Sequence, residues 1–379
     1  MKTEKRSIRF SLMAIFIFVA MACFAQDGLI SKIKTIEKTF DQPGIAFLGI
    51  QNSFGNIDVS YWDQDKVMAI VTIKVIAWDA DDAERFIEKL VPDANAEYCK
   101  CSGDGVFLST DLSYIKQRCG SQGMKKVYAP WFKKNAEVKQ YNIDYKVMIP
   151  KSISTIDLSN HFGDINLPDF EGKLSVVLYN GNLRTGNLKL DDYSRGLQVR
   201  YGMVTTGNIE NVKLNLFSCP DVIIGGAKDV NFTSSLSRIE IDSCSQLALN
   251  SKSDIMAIGT VRSLSGTTKF GHIEIGELLT TLDLKNKSGK VEILKIDPEF
   301  KKLALDGEYI VYSLNLNDLS CSLDVDVEFT TFKGGKPLIP TETKRSAVEG
   351  NATLKKEIGD KPNDASVVLR CSNCSIILK

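Results

Sequence analysis

The sequence predicts a mainly β protein: a single-chain β-solenoid, β-helix-like with coils of about 17–18 residues, behind a small N-terminal β block that contains one short helix. Three observations predict it. A short motif recurs, reading apolar, any, Asn/Ser/Thr, two residues, a turn residue, any, apolar, any, apolar. Leu158-Ser-Asn160-His-Phe-Gly163-Asp-Ile165-Asn-Leu167 and Leu284-Lys-Asn286-Lys-Ser-Gly289-Lys-Val291-Glu-Ile293 are two copies, and weaker ones place their turn at Asp221, Ser237, Asp254 and Gly271. Predicted strand starts near 156, 174, 197, 214, 230, 247, 264, 282 and 303 keep nearly constant spacing. Within each coil, apolar residues alternate as half-buried strands require.

The elements follow in order. Residues 1–25 read as a signal peptide: Lys2, Lys5, Arg6 and Arg9 precede an apolar run from Phe10 to Cys23, and Ala20-Met-Ala22 and Cys23-Phe-Ala25 offer small residues for cleavage. A lipoprotein anchored at Cys23 is the weaker alternative, because Ala20-Met21-Ala22 lacks the expected Leu. The mature chain has no other stretch long and apolar enough to cross a membrane. Residues 26–150 form the N-terminal block, with a first motif at Ile50-Gln-Asn52-Ser-Phe-Gly55-Asn-Ile57-Asp-Val59. Asp79 is placed to cap a helix over 80–90, Asp81 and Asp82 suit its positive end, and Pro92 stops it. An insertion spans 113–139. Residues 151–323 carry the solenoid repeats. Residues 324–379 hold C-terminal strands, a polar loop at 333–349 and a capping coil, in which Cys371 takes the Asn place and Cys374 the Gly place.

In this reading Gly55, Gly163, Gly271 and Gly289 are the structural turn residues, chosen for the positive φ that a corner demands. The series Asn52-Ser-Phe-Gly55-Asn-Ile57-Asp-Val59-Ser-Tyr-Trp62-Asp63, Tyr141-Asn-Ile-Asp-Tyr-Lys-Val147-Met-Ile149-Pro150 and Asn160-His-Phe-Gly163-Asp-Ile165 resembles the bacterial β-strand-repeat proteins of unknown function related to the putative auto-transporter adhesin head, or GIN, domain. The resemblance implies an exported, largely β chain with a single-chain solenoid. It brings no catalytic residues, and the 113–139 insertion and the cysteines depart from the pattern.

Composition narrows the function classes. Lys+Arg and Asp+Glu are equal at 47 each, which gives no overall charge for nucleic acid, and two histidines leave little material for His-based catalysis or metal binding. The candidate ligand site is Lys125, Lys126, Tyr128, Trp131, Lys133 and Lys134, where aromatic faces beside ammonium groups suit an anionic glycan, lipid head group or protein. The bland alternative is a solvated loop with Trp131 folded onto the sheet. Cys371 and Cys374 form a candidate disulfide in an exported chain, since no second ligand pair at zinc spacing accompanies them. His161 and His272 flank turn glycines on opposite sides of the corner and read as solvated turn residues. Carboxylates such as Asp191, Asp192, Asp242, Asp324 and Asp326 show no cross-coil alignment of the kind a glycoside hydrolase needs.

The expectation is therefore a noncatalytic exported adhesion or binding module of the cell envelope, in the periplasm or on the surface, with no cofactor and no metal. Its partner would be an envelope protein or glycan. The alternatives are a periplasmic structural or signalling partner of a membrane complex and, behind it, a carbohydrate-active enzyme.

Overall fold

The computed structural model describes residues 17–18, 28–90, 99–102, 104–109, 116–119, 125–128, 136–191, 196–317, 319–334, 351–359 and 364–379. The chain is mainly β, with one helix among the described residues. It divides into two compact units, Met1–Ile153 and Ser154–Lys379.

In the first unit Ile30–Phe40 pairs antiparallel with Val67–Ala77, which pairs antiparallel with Ala136–Ile149. Val67, Ala69, Val71, Ile73, Val75 and Ala77 all turn inward, so the period of two in the sequence becomes one buried sheet face. The helix Ala80–Leu90 starts where Asp79 Oδ1 accepts the Asp81 N–H at 2.7 Å. It buries Ala83, Phe86, Ile87 and Leu90, with the Phe86 ring 5.1 Å from that of Tyr141. Segment 113–139 is not a bare insertion. Lys116–Cys119 pairs antiparallel with Lys125–Tyr128, which pairs in turn with Ala136–Val138. Ladder pairing satisfies backbone groups that a loop would leave to water.

The second unit is a parallel ladder of the chain on itself. Leu158 pairs with Val176, Val176 with Leu197, Leu197 with Leu214, Leu214 with Phe232 and Phe232 with Leu249. Each coil thus lies one strand spacing, about 4.8 Å, from the next. Two further columns run through Ile165, Leu183, Val204, Val222, Ile239 and Met256, and through Phe170, Leu188, Ile209, Ala227, Cys244 and Val261. All these side chains are buried. Burying each large one contributes about 1.5–3 kcal/mol before its ordering entropy is counted.

The last segment does not cap the stack, contrary to the expectation from sequence. Ser366–Ser372 pairs in parallel with Lys302–Glu308 on one side and with Ser322–Glu328 on the other. Ser375–Leu378 likewise lies between Val311–Leu314 and Thr331–Gly334. Inserted there, the segment satisfies its hydrogen bonds on both edges, whereas a cap satisfies only one. The coil beyond it is shielded by Ala352–Ile358, antiparallel to Cys321–Val327. Residues 335–350, most of the predicted polar loop, lie outside the described residues.

The inside of one corner is polar. Asp254, 2% exposed, accepts hydrogen bonds from the hydroxyls of Ser234 and Ser251 at 2.6 Å each. It also accepts the N–H groups of Ser237 at 2.8 Å and Lys252 at 3.1 Å. Further along the same column Asn286 donates to Thr268 Oγ1 and accepts from the Tyr312 hydroxyl at 2.9 Å. One buried carboxylate therefore ties its own coil to the neighbouring one. Replacing it with Ala strands four donors, so Asp254→Ala is expected to lower unfolding stability by about 2–4 kcal/mol, measured by urea denaturation, and Asp254→Asn by less. An unchanged urea midpoint in Asp254→Ala would contradict this corner.

Candidate functional site

The sequence motif places the positive φ on its glycine; Gly55 at 156° and Gly289 at 121° have it, and the residue before the glycine position has it at every corner. Phe162, Asn180, Tyr201, Ser218, Leu236, Ser253, Phe270, Ser288, Tyr309, Phe329 and Asn373 all have φ between 47° and 62°. Phe54 does the same in the first unit, at 66°. Gly163 and Gly271 are not in that region. Their neighbours show what glycine does here: a Cβ on Gly202 would run into the carbonyl oxygen of Gly181 in the coil beneath it. The corner glycine permits close stacking, and the residue before it makes the turn. Asp221 is the last residue of the corner 218–221, which runs one residue longer than its neighbours and has its left-handed residue at Ser218.

Left-handed backbone favours Gly and Asn and costs a bulky residue about 1–2 kcal/mol. Six of these corner positions nevertheless hold Phe, Tyr or Leu, and each of the six is 53–57% exposed. Neither backbone nor core calls for such a side chain. Their order in the stack follows from backbone bonds: Phe162 N–H to Tyr179 O, Asn180 to Arg200, Tyr201 to Phe217, Ser218 to Ser235, Leu236 to Lys252 and Ser253 to Lys269. Beyond these, Gly289 sits on Gly271, Gly289 pairs with Ile310, Glu308 with Ser372, and Asn373 donates to Glu328 O. The row therefore reads Phe162, Asn180, Tyr201, Ser218, Leu236, Ser253, Phe270, Ser288, Tyr309, Asn373, Phe329. Large and small residues alternate on every coil. Asn373, the insert from the end of the chain, separates Tyr309 from Phe329.

The positions flanking the row carry charge. Just before it come His161, Tyr179, Arg200 and Phe217, with His161 edge-on to Tyr179 at 4.9 Å and the Arg200 guanidinium 5.6 Å from the Tyr179 ring and 6.0 Å from Phe217. Lys252, Lys269 and Lys287 then occupy the same place on three successive coils, and Glu308 follows, 3.0 Å from Lys287. An open cleft of about 220 Å³ adjoins Phe270, Ser288 and Tyr309, its lysines being Lys269, Lys285 and Lys287 and its carboxylates Asp306 and Glu308.

Of the ligand residues expected from sequence, Lys125, Lys126 and Tyr128 sit on the strand Lys125–Tyr128, while Trp131, Lys133 and Lys134 lie outside the described residues. Cys371 and Cys374 are joined as a disulfide, with Cα atoms 6.1 Å apart across the Asn373 corner. Cys219, Cys244 and Cys321 are buried free thiols. Burial pushes Cys244 up to about 12 and Cys321 up to about 11, the nearby Glu357 adding to the latter, so neither thiol is a nucleophile at neutral pH.

His272 meets Glu274 and Glu292, their donor atoms within 4.8 Å of one another, and its Nε2 has no hydrogen-bond partner among the described residues. His272 was singled out from sequence, but its acidic neighbours were not, because Glu292 joins them only through stacking. Hydrogen bonds from Lys290 and Lys379 hold the Glu292 carboxyl down at about 2. A cation would have to displace both ammonium groups, so the cluster reads as an ion-paired network. The corner row was also missed, although a bulky residue before glycine recurs at Phe54-Gly55, Phe162-Gly163, Tyr201-Gly202 and Phe270-Gly271.

No family model matches the chain, and no curated protein matches it. Two solved structures are similar in part. A putative adhesin from Bacteroides fragilis is 16% identical, with 74% of this chain and 97% of that one covered at a TM-score of 0.30. A putative cell adhesion protein from Clostridium sporogenes is 9% identical, with 92% and 99% covered at a TM-score of 0.19. Superpositions this loose carry no argument about the present chain, and its function is argued from its own geometry.

Two outcomes follow from the corner. Phe270→Gly is expected to leave the melting temperature unchanged or raise stability by up to about 1 kcal/mol, since it relieves left-handed strain and empties no core; a loss above 1 kcal/mol would mean that Phe270 packs. Cys219, Cys244 and Cys321 are expected to resist iodoacetamide at pH 8 in the folded protein and to react in urea, read by mass spectrometry; labelling at the folded rate of a free thiol would contradict their burial.

Proposed function

We propose that the chain is a noncatalytic, exported β-solenoid that acts as an adhesion or binding module of the cell envelope, with the corner row as its contact surface. The observation that carries this reading is the row itself: six bulky apolar residues, more than half exposed, held in a backbone conformation that disfavours them. Strain and exposure kept together at repeated positions are characteristic of binding surfaces. The parallel ladder supports the solenoid, because a coil stack presents the same corner again and again.

The carboxylates favour binding over catalysis. Those with shifted pKa values among the described residues, Glu84, Asp164, Glu210, Glu292 and Asp324, are all shifted down. A general acid for glycoside cleavage needs the opposite shift beside an open cleft. Export rests on the leader at 1–25 and the disulfide between Cys371 and Cys374, which suits an oxidising compartment.

The test uses fluorescent mature chain on intact cells and isolated envelopes. Wild type is expected to bind saturably. The Phe162→Ser/Tyr201→Ser/Phe270→Ser/Tyr309→Ser variant is expected to bind at least about tenfold more weakly at an unchanged melting temperature. Equal binding by that variant would remove the corner row from the function.

A further inference from the structure

The row has a period, and resting on the binding reading above, that period narrows the ligand. Bulky residues stand on every second coil, so they are spaced by two strand separations, about 10 Å. The smaller residues between them, Asn180, Ser218, Ser253, Ser288 and Asn373, present hydroxyl and amide groups on the alternate coils. Crowding explains why two large side chains avoid adjacent coils. It does not explain why any large side chain is there, since Asn or Gly at all eleven positions would satisfy the backbone better.

We propose that the row holds an extended, polyanionic, β-linked polysaccharide, one disaccharide per two coils. One sugar of each disaccharide stacks its apolar face on Phe162, Tyr201, Leu236, Phe270, Tyr309 or Phe329. The next sugar meets the polar corner residue of the intervening coil. Two equatorially linked pyranose rings span close to the length of two coils, so the register holds over several repeats. The negative charge of the chain faces Lys252 and Lys269, with Lys285 in the adjoining cleft. Lys287 is ion-paired with Glu308 and the cleft also holds Asp306, so the anion is held over the coils of Lys252 and Lys269. Across the row, Arg238 and Lys290 occupy the corresponding positions, and the carboxylates Glu240, Glu274 and Glu292 come two residues further out along their strands.

The competing occupant is an amphipathic helix, which repeats its face every seven residues at a similar length of about 10.5 Å. Its apolar stripe would cover Asn180, Ser218, Ser253 and Ser288 with hydrocarbon and leave their polar groups unmatched. A sugar chain brings hydroxyls to the same places. Lys252 and Lys269 suit the acidic sugars of such a chain, while the choice against the helix rests on the polar corner residues.

The experiment is calorimetric titration of the full mature chain with hyaluronan oligosaccharides from tetrasaccharide to dodecasaccharide, with chondroitin sulfate oligosaccharides to separate sulfate from carboxylate and neutral chitin oligosaccharides as the uncharged control. Affinity is expected to rise with each added disaccharide, to fall with added salt, and to be weakest for the neutral series. A second variant, Ser253→Phe/Phe270→Ser, keeps the number of aromatic rings but moves one by a single coil. It is expected to bind the dodecasaccharide about tenfold more weakly than wild type at the same melting temperature. Affinity independent of length, or full affinity in the shifted variant, would overturn the two-coil register. No binding to any anionic series, while the four-serine variant still loses binding to cells, would refute the glycan and leave the adhesion reading standing. Cell binding that protease treatment of the cells abolishes and glycosidases leave intact would assign the row to a protein instead.

Discussion

Parallel, in-register stacking of one coil on the next is the constraint from which the second unit follows. Pairs such as Leu197 on Leu214 and Phe232 on Leu249 fix the coil spacing at about 4.8 Å, and every other feature must then repeat at that distance. Inward columns become continuous ladders of Leu, Ile and Val. Corners must turn at the same place on each coil, so the left-handed residue recurs from Phe162 to Phe329. A side chain on Gly202 would collide with Gly181, so glycine is kept where those two corners touch, while Cys219, Ser237, Asp254 and Ile310 take the same place on other coils. One geometric rule yields the core, the corner and the row of exposed rings.

The same rule explains how the corner interior tolerates polarity. A buried carboxylate such as Asp254 is costly unless its lone pairs are all used. Stacking brings the Ser234 hydroxyl and the Ser237 N–H from the adjacent coil against it, Ser251 and the Lys252 N–H come from its own coil, and the Asn286–Thr268–Tyr312 set continues the arrangement. These groups lie inside the bend, and the bulky residues lie outside it. The corner thus separates the chemistry that holds the coils together from the surface offered to a ligand, so the surface can vary without loosening the stack.

Much of this was legible in the sequence, and the failures are informative. The strict alternation of Val67–Ala77, the cap at Asp79 and the spacing of apolar residues from Leu158 onward show themselves locally, because strands and helix ends are decided by neighbours in the chain. The positive φ expected of the motif glycine holds at Gly55 and Gly289 but not at Gly163 or Gly271, and the left-handed residue common to the corners is the one before it. Glycine is the usual bearer of positive φ, and nothing local says that its Cβ is excluded by a carbonyl from the coil below. The placement of the last segment between Lys302–Leu314 and Cys321–Gly334 depends on long-range pairing that no periodicity records, since the chain leaves the stack and returns. The alternation of large and small corner residues was hidden for that reason: Tyr309 and Phe329 look adjacent until Asn373 is set between them. The cluster of His272, Glu274 and Glu292 was invisible for the same cause, since its members meet across coils.

The measurement that tests the stack most directly is a distance between nitroxide labels on two small corner residues of the second unit, Asn180 and Ser288, by pulsed electron paramagnetic resonance. Six coil intervals separate them, so parallel in-register stacking predicts a single narrow distribution centred at about 29 Å, broadened only by the label linkers. A broad distribution, or a maximum displaced by two or more coil spacings, would contradict the register on which the corner row and its period rest.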